Sequence, residues 1–88
     1  MTPKEHLDQL KEHEIDALES QKEHIEHAYS YARWHLERLE GMTGMPQESI
    51  LRYAVRCSQM RANLPVHEVL QILFVFYISK HNDENGEK

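Results

Sequence analysis

Residues 68 to 80, EVLQILFVFYISK, are the one dense apolar stretch in an otherwise polar chain, and whatever covers them decides the fold. Val66, Val69, Leu70, Ile72, Leu73 and the run from Phe74 to Ile78 place apolar side chains almost all round, relieved only by Glu68, Gln71 and Ser79. Valine, isoleucine, phenylalanine and tyrosine favour strands. No second strand-like segment exists for this one to pair with, however, and a lone strand leaves its backbone groups unsatisfied. The stretch is therefore predicted to be a helix over about 65–80, opened by Pro65 and followed by a disordered polar tail at 82–88.

Two further helices are predicted. Residues 4 to 40 hold no glycine or proline, are rich in good helix formers and follow Thr2-Pro3, a cap with a proline in the first turn. At about 100° per residue, Leu7, Leu10, Leu18, Ile25, Ala28, Tyr29, Ala32, Leu36 and Leu39 share one face, interrupted by the polar Glu14 and Gln21. This reads as one long helix ending at Gly41. The linker GMTGMP precedes a second helix, about 46–63, with Ile50, Leu51, Ala54, Val55 and Cys57 on its apolar side. The chain is expected to be an all-α single domain over 1–81.

With 88 residues, such a domain buries only about 60% of its unfolded surface and is marginal without added support. Cys57 is the only cysteine, so no internal disulfide is available and a reducing compartment is implied. The first and second helices can cover only two sides of the apolar third helix, so the bundle is expected to be completed by homo-oligomerisation. The form expected is a two-fold dimer through Leu70, Leu73, Phe74, Phe76 and Tyr77. The first helix would span about 55 Å against about 25 Å for each of the others. Its N-terminal stripe would then overhang, leaving Leu7, Leu10 and Leu18 to grip a protein partner or a symmetry mate.

Charge narrows the partner classes. The net charge is −5, with ten acids against five bases in residues 1–40 and two against four in residues 41–81. An acidic chain is a poor default nucleic-acid binder. Arg52, Arg56 and Arg61 nevertheless make the second helix a basic surface that a dimer would double, and nucleic-acid contact is the alternative reading. The competing expectation is that these arginines pair with acids of the first helix. Tyr31, Trp34 and Arg38 form a second partner-binding candidate, since aromatic-plus-arginine patches are common hot spots. Trp34 itself is expected to pack under a neighbouring helix.

Histidines 24 and 27, at i, i+3, are weak metal candidates, but the glutamates that complete known helical metal motifs are missing, so no metal or other cofactor is expected. Nothing in the chain resembles a phosphate loop, a nucleophile elbow or a paired acid and base, so no enzymatic activity is expected. MTPKEHLDQL lacks the apolar segment of a secretory signal, and the apolar run is shorter than the about 20 residues that cross a bilayer. A cytoplasmic, non-enzymatic interaction module, a regulatory adaptor or inhibitor acting as a homodimer, is the expectation.

Overall fold

The computed structural model describes residues 2–60 and 64–86, and among these the chain is all-helical. Four helices follow in order: α1 (Pro3–Ala17), α2 (Lys22–Thr43), α3 (Gln47–Met60) and α4 (Val66–Gly86), with a 3-10 turn at Glu19–Gln21 between the first two. Thr2 caps α1 as its sequence implies. Its hydroxyl accepts from the Glu5 amide at 3.2 Å and the Glu5 carboxylate accepts from the Thr2 amide at 3.0 Å, with Pro3 in the first turn. Pro46 and Pro65 each stand just before a helix, their carbonyls accepting from Ser49 and Ile50 and from Glu68 and Val69.

The single long first helix is not what forms. The chain breaks at Leu18 (φ −133°, ψ 59°), turns through Glu19–Gln21 and runs back, so that Lys4, Leu7 and Lys11 line one small cavity with Glu26, Ser30 and Arg33. Nothing in local propensity requires this. A straight helix over residues 3–43 would be roughly 60 Å long, whereas the longest dimension of the molecule is 48 Å. Folding back buries Leu7 to 4% exposure and half-buries Leu10 and Ile15. Burial of the stripe, worth about 1.5–3 kcal/mol per large side chain, outweighs the helical hydrogen bonds lost at the turn.

The four helices alternate in direction around the face of α2 that carries Ile25, Tyr29, Ala32, Leu36 and Leu39. Against it pack Leu7 of α1, Ile50, Leu51 and Ala54 of α3, and Val66, Val69, Leu70 and Phe74 of α4. The pairing of α2 with α4 is the most extensive in the molecule. Two helix ends differ from expectation. α2 runs past Gly41 to Thr43 and stops at Gly44, whose φ of +74° is the left-handed conformation glycine adopts without strain. α4 continues through Gly86 instead of giving way to a tail at residue 82.

These two glycines make opposite predictions. Gly41 lies inside a helix with nothing within 4 Å of where a Cβ would stand, so Gly41→Ala is expected to stabilise by about 0.5–1 kcal/mol. Gly44→Ala forces an L side chain to positive φ and is expected to destabilise by about 1–2 kcal/mol. Urea denaturation of the two variants measures both. A destabilising Gly41→Ala beside a harmless Gly44→Ala would place the helix stop at Gly41.

Candidate interaction surfaces and a buried polar cluster

Helix α4 is apolar all round, and its inner face is covered from within the chain. Leu70 is fully buried, Phe74 is buried, and Leu73 and Tyr77 are half-buried. Of the five residues expected in an oligomer interface, only Phe76 therefore faces solvent, and the other four belong partly or wholly to the protomer core. What remains outside is a ridge of Ile72, Val75 and Phe76, exposed by 55%, 53% and 58%. Spacing of i, i+3 and i+4 puts the three on one side of the helix. Beside the ridge, Leu39, Ile50, Leu73 and Tyr77 line a cleft of about 290 Å³ with the exposed Met45 and Tyr53 at its mouth. The ring of Phe76 meets that of Tyr77 edge-on at 5.5 Å, which is where the ridge adjoins the cleft.

The three leucines expected to grip a partner are divided. Leu7 and Leu10 are spent on the intramolecular core, and only Leu18, at the break, is exposed. The aromatic patch on α2 is more open than expected. Tyr31 is exposed, and Trp34, 46% exposed, leans edge-on against Phe74 at 5.1 Å while the Arg38 guanidinium lies 5.3 Å from its ring centre. Arg52 and Arg56 are exposed on α3 and, among the described residues, neither makes an ion pair, so the expected pairing with acids of the first helix does not form. Arg61 lies outside the described residues.

Between α2 and α4 runs an open groove of about 470 Å³ lined by His24, His27 and His35 on one side and His67 and Glu68 on the other. His24 and His27 are exposed at its edge, and no three histidine, cysteine or acidic side chains are placed to hold a metal ion among the described residues. His35 is 9% exposed, wedged between Trp34 and Phe74, with its Nδ1 buried and without a hydrogen-bond partner. Burial pushes its pKa below the ordinary histidine value.

A second polar cluster links three helices. The Tyr29 hydroxyl of α2 donates to Glu14 Oε2 of α1 at 2.8 Å, and Glu14 Oε1 stands 3.4 Å from Nδ1 of His67 on α4. Burial, followed by the hydrogen bond and the charge of Glu14, holds the Tyr29 phenol far above its usual range. The sequence did carry a signal for this cluster: Glu14 is a polar residue in an otherwise apolar stripe, and a polar group there needs a partner. No protein-family model, curated protein or solved structure matches this chain.

Because the folded state disfavours protonated His35, its contribution to stability is complete above the unfolded pKa of about 6.5 and is lost as the pH falls below it. Replacing the ring by His35→Phe keeps the contact with Phe74 and removes the titration. Between pH 7 and pH 5 the native chain is expected to lose more thermal stability than this variant. Parallel Tm profiles for the two proteins would show that His35 does not couple folding to pH.

Proposed function

We propose that this chain is a small non-enzymatic protein–protein interaction module that works as a homodimer, and that it assembles by burying the ridge of α4 and the adjoining cleft against a second copy. The observation that carries the reading is the exposure of Ile72, Val75 and Phe76 on one side of α4, with Tyr53 and Met45 also exposed at the cleft. At about 200 Å² per large side chain and half of it exposed, these residues offer on the order of 500 Å² of apolar surface. That is at the upper end for a monomer and supplies the core of an interface needing about 800 Å² per partner.

A second copy suits this surface because ridge and cleft lie side by side, the arrangement a two-fold interface requires if each copy is to supply both. Charge favours antiparallel α4 helices. Glu68 lies one turn before Ile72 and Lys80 one turn after Phe76, both exposed, so an antiparallel crossing brings opposite charges to the same level at both ends. The regulatory partner would then be engaged elsewhere, and Tyr31, Trp34 and Arg38 form the surface with hot-spot chemistry.

Nucleic-acid contact is a second reading, supported by Arg52 and Arg56, one helical turn apart on α3 and without an ion pair among the described residues. Each phosphate contact would release counterions, so retention on DNA should fall steeply with salt and weaken on Arg52→Ala with Arg56→Ala. Absence of retention at low salt would eliminate it.

For the dimer, Phe76→Glu is the decisive substitution. Its side chain is exposed in the protomer, so the helical signal is expected to persist with a stability change within about 0.5 kcal/mol of that of the isolated chain. Light scattering at micromolar concentration should then fall from the mass of two chains to that of one. Phe74→Glu, by contrast, places a charge in the core and should unfold the chain. A monomeric native protein would overturn the proposal.

A further inference from the structure

The break between α1 and α2 contains no residue that needs a break. Leu18, Glu19, Ser20 and Gln21 include neither glycine nor proline, none is buried, and the turn is entered at Leu18 (φ −133°, ψ 59°) and left at Gln21 (φ −109°, ψ 19°), both outside the helical region. Residues 4 to 40 as a whole favour one uninterrupted helix. What bends the chain is tertiary: the apolar seat for Leu7 and the hydrogen bond from Tyr29 to Glu14, which hold α1 antiparallel to α2. Local preference and packing are thus in opposition at this turn. A second copy can satisfy both.

We infer that α1 is an exchangeable strap: it swings out about Leu18–Gln21, becomes continuous with α2, and docks on the vacated surface of a second copy of the chain. The occupant follows from the geometry. The surface left by α1 is complementary to α1, so the partner's α1 restores the Leu7 seat and the contacts of Glu14 with Tyr29 and His67 without loss. The hinge then gains the helical hydrogen bonds that the closed turn forgoes, which is the usual balance behind segment exchange between protomers. The tie from Glu14 must break on the way, so exchange is slow relative to the motion of a free helix end. This inference does not depend on the α4 ridge.

The experiment is therefore done in a Phe76→Glu background, with Cys57→Ser and spin labels attached through Lys4→Cys and Arg33→Cys. Lys4 and Arg33 line one small cavity in the closed form, whereas in a straight helix they stand about 45 Å apart at 1.5 Å per residue. Doubly labelled chain diluted into unlabelled excess reports the separation within one chain.

Leu18→Ala with Ser20→Ala, which favours a helical hinge, is expected to shift the population to the long distance and the mass to two chains. Glu19→Pro suits the first position of the turn but would clash inside a continuous helix, and adding it should restore the short distance and the mass of one chain. The inference is overturned if the helical hinge variant shows only the short distance, if it shows the long distance as a single chain, if its helical signal is lost, or if the long distance survives Glu19→Pro.

Discussion

The apolar stripe of α2 is the surface on which every other helix depends. Ile25, Tyr29, Ala32, Leu36 and Leu39 are all buried, and each of the other three helices places buried side chains against this stripe. Because α4 begins beside Tyr29, where its His67 meets that ring, α3 and α4 fall short of the N-terminal part of the stripe, which is left to α1. The fold-back at Leu18 follows from this shortage. It is a case in which burial overrules an uninterrupted run of helix-forming residues.

The same shortage explains where polar groups are tolerated inside. Glu14, Tyr29 and His67 meet where α1, α2 and α4 converge, and there a carboxylate is acceptable because a phenol donates to it and an imidazole stands beside it. The cluster is also directional. A hydrogen bond at 2.8 Å constrains the register of α1 against α2 in a way that Leu7 alone does not, since an apolar contact tolerates sliding. His35 is the opposite case. It fills space among Trp34, Tyr31 and Phe74 as an aromatic ring and leaves one nitrogen unsatisfied, and its burial pushes its pKa below the ordinary histidine value.

Much of the fold was legible from pattern alone. The all-helical class, the cap at Thr2, the proline starts at 46 and 65 and the inner face of α2 all follow from periodicity and capping, which act over a few residues. The break at Leu18 was not legible, because its cause lies in contacts made across the bundle by Leu7 and Glu14. For the same reason the stripe of α1 was misread as an overhang. The helix end at Gly44 was displaced from Gly41 because composition reveals glycine but not which one takes positive φ. In α4 the apolar character was plain, yet a helix that is apolar all round gives no internal mark of which side faces its own chain. Leu70 and Phe74, which the chain itself buries, were therefore named for an oligomer interface, while Ile72 and Val75, read as apolar, were left out of it.

That ambiguity in α4 is also what gives its outer face meaning. A helix whose only task was to close the protomer core would need apolar residues on the arc of Val66, Val69, Leu70, Leu73 and Phe74, and polar ones at 72, 75 and 76 would cost the protomer nothing. Isoleucine, valine and phenylalanine at those positions, each more than half exposed, contribute little to the isolated chain and raise its tendency to associate. The free energy they forgo in the protomer is recovered only when another apolar surface covers them. In a chain of this size, where a few kcal/mol separates folded from unfolded, covering that ridge would raise the stability of the whole bundle, and in the proposed dimer folding and association would be parts of one equilibrium.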